Sequence, residues 1–439
     1  MNLPIHDFII DNLGERTISS PLNIANFTLD SKRLLFNCYR DTYHEYKNGD
    51  GLPLSIELAG PREKIYFDPG RTKAAIVTCG GLCPGINDVI RSITMELFYR
   101  YGVKDIIGIK YGFRGLIPEC GHEKVHLSPD IVKDITHIGG SFLSCSRGHQ
   151  DIDKIIDSLL DMKIDILFCI GGDGTMRAVQ EIATRILKRD LKIAVVGIPK
   201  TIDNDLNLIQ KSFGFDTAIS ETVHAIRCAH VEAKGAPNGI GLIKIMGRLS
   251  GHIAANAALA QNDTNFVLIP EIPFSLEGEK GFLNTLEKRI KKSGHAVVLV
   301  AEGAGQDLLK KCDEHEQTDP SGNIRLHDIG FFLKRQIEKH FQKINMEINL
   351  KYIEPSYLIR SVPANASDGV YCSSLGQYAV HAGMAGKTGL LVALMKEEYV
   401  HLPLAAAVSR RKIDPQGDVW LRVLETTGQP AEMSDDEQV

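Results

Sequence analysis

The peptides Ile170–Ala178 (IGGDGTMRA) and Ile198–Asp205 (IPKTIDND) carry the residue types that phosphoryl transfer needs. In the first, the apolar run Asp165–Ile170 feeds into Gly171, Gly172, Asp173, Gly174 and Thr175, and a helical pattern follows. The N–H groups of such a loop can surround a triphosphate, and Asp173 can hold Mg2+ through oxygen. A plain helix cap at Asp173 is the alternative, and it leaves the glycines around one acid unexplained. In the second, the run Ile193–Ile198 ends in Pro199, Lys200, Thr201, Ile202, Asp203, Asn204 and Asp205. Phosphorylating an alcohol needs a carboxylate to take the hydroxyl proton and cations to offset charge on the transferred group. Asp203 and Asp205 point the same way if the segment is extended. An Asx turn in a solvated loop is the alternative, and it gives Lys200 and Thr201 no role.

Other motifs also follow apolar runs. Cys79–Asn87 (CGGLCPGIN) lies between a strand pattern and a helix pattern; a plain tight turn and an anion-binding loop explain it equally well. It is not a Walker A sequence, because no Lys-Ser/Thr follows its last glycine. Lys244–Gly251 (KIMGRLSG) places a guanidinium suited to a phosphate dianion after a strand, although alone it reads as a surface arginine beside a turn. Glu302-Gly303, Tyr357–Arg360 (YLIR) and Gly139–Gly148, with Arg147, are weaker signals taken singly.

The elements that must position these residues alternate along the chain. Strands are expected at Ala74–Thr78, Asp105–Ile109, Asp165–Ile170, Ile193–Ile198, Gly239–Ile245, Phe266–Pro270, Ala296–Ala301 and Leu390–Leu394. Helices are expected at Asp88–Tyr101, Asp151–Met162, Met176–Lys188, Thr217–Ala233, His252–Gln261, Lys280–Lys292 and Ile329–Phe341. Continuous apolar strands separated by amphipathic helices predict an α/β fold with mostly parallel sheets flanked by helices. Ligands in such folds sit beyond the carboxyl ends of the strands, where nearly all these motifs fall. Residues 1–70 read as an N-terminal extension and AEMSDDEQV as a frayed acidic end.

With 439 residues, 43% of them apolar, the chain has material for two domains or one large one. A net charge of −5 without basic blocks argues against nucleic acid. No apolar run approaches bilayer length, which argues against a membrane. The nine cysteines never form CxxC, so zinc is not expected and a reduced cytoplasmic setting is. The fifteen histidines show no HExxH-like spacing and read as ordinary core or surface residues.

The ordered set GGLCPGIN, SxSRG, GGDGT, PKTIDND, MGR, AEG and YLIR, spread from about residue 73 to about 410, resembles the phosphofructokinase family. The resemblance is closest to the branch with PKTIDND and a long N-terminal extension. It implies a two-lobed fold: a nucleotide lobe at about 71–214 with a return near 360–410, a sugar-phosphate lobe at 215–359, and a tail at 411–439. It implies that Gly81, Arg147, Gly148, Gly172, Asp173, Gly174 and Thr175 hold ATP, with Asp173 on Mg2+. Asp203 would be the base for the 1-hydroxyl of fructose 6-phosphate, with Thr201 beside it, and Lys200, also catalytic, would contact the transferring phosphates. Ile202, Met246, Gly247, Arg248, Glu302, Tyr357, Leu358, Ile359 and Arg360 would complete the sugar-phosphate site. The family also implies a glycolytic, allosteric homo-oligomer, dimer or tetramer, with a site completed by a neighbouring subunit. Gly239 stands where one such arginine aligns, and Lys244 is the candidate to replace it.

Donor choice rests on Gly174, where pyrophosphate-using relatives typically have aspartate. An aspartate would intrude on the space and charge of a nucleotide's α-phosphate. Lys200, shared with the pyrophosphate users, makes the signature mixed, and ATP is the expected donor. The alternatives are a pyrophosphate-dependent phosphofructokinase, an NAD- or lipid-kinase-like enzyme, and a silent nucleotide-sensing subunit.

Overall fold

The structure, a computed structural model, describes residues 8–37, 54–309, 325–407 and 410–435. The chain divides into two compact units. The first is Met1–Thr201, Leu206–Gly214 and Val362–Ser409; the second is Ile202–Asp205, Phe215–Ser361 and Arg410–Val439.

The first unit includes β1 (Arg33–Leu35), β2 (Ser55–Leu58) and β3 (Lys73–Thr78), followed by α1 (Ile86–Met95), β4 (Asp105–Ile109) and β5 (Lys124–His126). Then come α2 (Ile152–Asp161), β6 (Ile166–Gly171), α3 (Asp173–Lys188) and β7 (Ala194–Pro199). The second unit contains α4 (Phe215–Lys234), β8 (Gly239–Ile245), α5 (His252–Ala260), β9 (Phe266–Leu268), α6 (Phe282–Ser293) and β10 (His295–Ala301). It continues with α7 (Ile329–Lys343), β11 (Asn349–Ile353) and α8 (Ser356–Arg360). The chain returns to the first unit for α9 (Ala366–Met384), β12 (Leu390–Met395) and β13 (Glu398–Pro403), and ends in the second with α10 (Asp418–Thr427).

The first unit's nine-stranded sheet has the order β1-β2-β13-β12-β7-β6-β3-β4-β5, with β12, β7, β6, β3 and β4 parallel. Every residue of β6 and β7 is buried, as continuous apolar runs covered on both faces require. From the neighbouring strands β3 and β6, the chain crosses over in opposite directions, to β4 and to β7. That reversal is the topological switch point, where α/β sheets open a crevice for ligands. The loops leaving these two strands are Cys79–Asn87 and Gly171–Thr175.

The described part of residues 1–70 is built into this unit, since β1 and β2 extend the sheet beyond β13. It also supplies the anions of a buried charge cluster. Lys387, only 1% exposed, bonds Glu57 at 2.8 Å and Asp30 at 3.4 Å. Glu57 also accepts from Arg62 at 2.9 Å and from His401 Nδ1 at 2.8 Å. Burial alone would raise Glu57, but the His401 hydrogen bond and the Lys387 charge outweigh it and bring the carboxyl down to about 2. Burial holds His401 below its usual range, so it donates as a neutral imidazole. Lys387→Met should therefore cost about 3 kcal/mol of unfolding free energy, because a buried carboxylate loses a partner. A carboxyl depressed in the folded state gives stability that is complete above its unfolded pKa of 4.5 and lost as pH falls through about 2. The deficit of the variant, read from denaturant unfolding, should thus be full near neutrality and shrink over that acid window.

The second unit's sheet is parallel throughout, in the order β9-β10-β8-β11. Its core joins Leu242, Val298 and Val300 to Phe282, Leu286, Leu333 and Phe341 of the flanking helices. Of the acidic end expected to fray, the described residues 431–435 are held, and the segment before them is packed as well. Trp420 of α10 is buried, the Gln429 side chain bonds both N and O of Val267, and Met433 packs into the core. The last residues of the acidic end, 436–439, and residues 1–7 lie outside the described residues. No helix among the described residues is long and apolar enough to cross a membrane.

Candidate active site

In the first unit, four loops converge at the carboxyl ends of β3, β6 and β7. Cys79 N–H donates to Ile170 O at 2.9 Å, and Gly80 N–H to Ser146 O at 3.0 Å. Lys200 N–H donates to Gly171 O at 2.8 Å, and its ammonium reaches Gly81 O at 2.7 Å. Gly81, the Ser146–Gly148 segment, Gly172–Thr175 and Lys200 are thereby brought together. Arg147 and Gly148 are exposed. Lys200 is buried, and its ammonium carries more donors than the bond to Gly81 uses.

Helix α3 starts at Asp173, earlier than the expected Met176, with Gly172 as N-cap. Asp173 therefore stands in the first turn, where the helix dipole favours negative charge. Its Oδ2 accepts from Arg177, an exposed i,i+4 partner, at 2.8 Å. A Cβ added at Gly174 would meet nothing within 4 Å, so the protein itself leaves that space open. Cys79, beside the loop, is not a reactive thiol: burial pushes it up to about 12. The seven described cysteines are all free.

The chain passes from one unit to the other within the Lys200–Asp205 motif, between Thr201 and Ile202. Thr201 O accepts the Ser212 hydroxyl at 2.6 Å. The Asp203–Asp205 segment is not extended. Asn204, buried, has φ 51°, so the alternation expected to align Asp203 with Asp205 does not apply. The turn gives the two acids separate settings: Asp205 faces Arg411, whereas Asp203 has its backbone held by Ser250.

In the second unit, parallel pairing of β8 with β10 sets the Met246-Gly247-Arg248 loop beside Glu302-Gly303. Glu302 N–H donates to Ile245 O at 2.9 Å and Gly303 N–H to Gly247 O at 3.1 Å. Gly247, at φ 133°, sits so that a Cβ would come 2.7 Å from Ser250 O, which fixes glycine there. Burial raises Glu302, against the lowering influence of Arg248, Lys244 and Arg360. The motif acid and both motif arginines thus share one electrostatic cluster. In α8, Tyr357 and Leu358 are 73% and 71% exposed, Ile359 is buried, and the Arg360 guanidinium lies over the Tyr357 ring at 5.1 Å. Lys244, the expected replacement cation, is engaged by acids of its own unit. Its ammonium is taken by Asp328 at 3.0 Å and Glu354 at 2.8 Å, and it is only 10% exposed.

Three residues outside the expected site bear on the Asp203 segment: Ser250 and Arg411 hold its carbonyls, and Glu271 accepts from Gly251 and Ile413 beside them. Ser250 was within reach, being part of the KIMGRLSG motif; nothing local marks the other two.

Among the described residues no group of three or more His, Cys, Asp or Glu is placed to hold a metal. A single carboxylate at a phosphate-type loop fits Mg2+, which binds through one or two carboxylates together with substrate phosphates and water. Asp173 is the residue that fits.

A switch-point glycine cradle in one unit and an arginine–glutamate cluster in the other define an α/β protein built for anionic, phosphate-bearing ligands. The chain belongs to the phosphofructokinase family, whose model, Phosphofructokinase, matches residues 73–383. A Borreliella burgdorferi protein named ATP-dependent 6-phosphofructokinase is 49% identical over 97% of this chain and 98% of its own length. One of the same name from Amycolatopsis methanolica is 45% identical over 98% and 97%. Among solved structures, the pyrophosphate-dependent phosphofructokinase from Marinobacter aquaeolei shares the fold, with a TM-score of 0.66 at 20% identity, covering 83% of this chain and 92% of that one.

Proposed function

We infer that the chain is an ATP-dependent 6-phosphofructokinase, transferring the γ-phosphoryl of Mg-ATP to the 1-hydroxyl of fructose 6-phosphate to give fructose 1,6-bisphosphate and ADP. The observation that carries the choice of donor is the open space at Gly174 in a chain 49% identical, end to end, to a relative named for ATP. Gly81, Arg147, Gly148 and Gly172–Thr175 bind the nucleotide phosphates through backbone N–H groups and one guanidinium. When bound at Asp173 and the phosphates, Mg2+ offsets charge on the transferring group. Lys200 adds a cation at the same loops. Asp203 takes the proton of the 1-hydroxyl, with Thr201 beside it. Arg248 and Arg360 meet the sugar phosphate, Glu302 accepts from sugar hydroxyls, and Ile202, Met246, Gly247 and Tyr357–Ile359 shape the pocket. Because catalysis of this kind is chiefly positioning and electrostatics, no covalent intermediate is needed. The protein works in the cytoplasm as a homo-oligomer.

Lys200 favours a second reading, pyrophosphate as donor, since that lysine is common to such relatives. Separate assays of the purified protein with ATP and with pyrophosphate decide between them. Fructose 1,6-bisphosphate should form with ATP and not with pyrophosphate; the reverse result would exchange the readings.

A further inference from the structure

The segment Asp203-Asn204-Asp205 is a turn whose three successive carbonyls are all held from elsewhere in the second unit. Ser250 Oγ donates to Asp203 O at 3.1 Å. The Arg411 guanidinium donates to Asn204 O at 2.9 Å, and Arg411 N–H to Asp205 O at 2.7 Å. One carboxylate ties these two arms together. Glu271 accepts Gly251 N–H, next to Ser250, at 3.0 and 3.1 Å, and Ile413 N–H, two residues beyond Arg411, at 3.0 Å. Ile413 is itself buried, so the strap on which Arg411 rides is anchored. Residues 410–413 lie beyond the family match, which ends at 383.

We propose that Arg411 is a positioning residue for Asp203, and that Glu271 is the post to which both arms of its clamp are tied. Asn204, at φ 51°, adopts a left-handed conformation that asparagine tolerates, and the three bonds fix the turn it makes in one place. Displacing a reacting group by about 1 Å can cost about 100-fold in rate even when the altered residue is remote from the chemistry. The clamp holds the carbonyl of Asp203 and those of the two residues that follow it.

This inference rests on Asp203 being the base of the reaction proposed above. The test is steady-state kinetics of Arg411→Met in the full chain, beside thermal unfolding. The kcat should fall by about 100-fold, while KM for ATP and the melting temperature stay at the parental values. Arg411→Lys keeps a cation in the half-buried site and guards against a methionine variant that does not fold. It should melt like the parent and lose kcat to a smaller extent. An unchanged kcat in Arg411→Met overturns the proposal. So does a loss of kcat matched by an equal loss of folded protein, because the strap would then serve stability alone. An inactive parent enzyme would instead remove the functional reading, so the two failures are distinct.

Discussion

Asp203→Ala is expected to lower kcat by about 1,000-fold, inside the range that a positioned general base contributes. That loss corresponds to about 4 kcal/mol of transition-state stabilisation. The KM values for ATP and fructose 6-phosphate should change little, because the carboxylate acts on the proton that leaves in the transition state and not on the bound phosphates. Asp205→Ala is the informative companion. The left-handed Asn204 separates the two acids, and Asp205 is the one that faces Arg411. Its removal should therefore disturb the clamp and cost less than removal of Asp203. Retention of near-normal kcat in Asp203→Ala, with Asp205→Ala inactive, would move the base to Asp205.

The parallel core was readable because its strands are continuous apolar runs with sharp ends. Asp105–Ile109 and Gly239–Ile245 fall where the sequence puts them. Helix α9 was not readable. It carries Gly369, Gly376 and Gly383, poor helix formers, and it is buried against both α1 and the sheet. A Cβ at Gly376 would lie 2.6 Å from Ser92, and one at Gly383 2.8 Å from Ile166. Two-sided burial erases the apolar stripe by which a helix is recognised. Strand β13 was hidden by its turn: Lys396 and Glu397 both have positive φ, at 50° and 66°, without the Asn or Gly that usually marks a two-residue hairpin.

The site divides in the same way. Its glycine loops are legible because backbone close to a ligand demands glycine within a short span. The settings of its charges are not, since they depend on residues far apart in the chain. Lys244 is the expected substitute for a neighbouring subunit's arginine, and nothing near it in the chain announces that Asp328 and Glu354 pair with its ammonium. Arg411 lies 207 residues from the carbonyl its guanidinium holds, and no local pattern announces such a contact.

Gly174→Asp should lower kcat/KM for ATP by about 100- to 1,000-fold, the effect of a carboxylate about 4 Å from an α-phosphate at an effective dielectric near 20. The structure makes this substitution a clean one. Gly174 is the second residue of α3, exposed, and a Cβ there meets no protein atom within 4 Å. An acid in the first turn of a helix is also favourable to the helix dipole. The variant should therefore fold and melt like the parent, so a loss with ATP reports on the nucleotide and not on the protein. Pyrophosphate has no α-phosphate bearing a nucleoside, and Lys200 stays in place beside Gly81, so binding of pyrophosphate should not suffer the same penalty. Parallel titrations of the variant with ATP and pyrophosphate separate the two donors, and ATP turnover equal to the parent's would refute the steric and electrostatic role of this position.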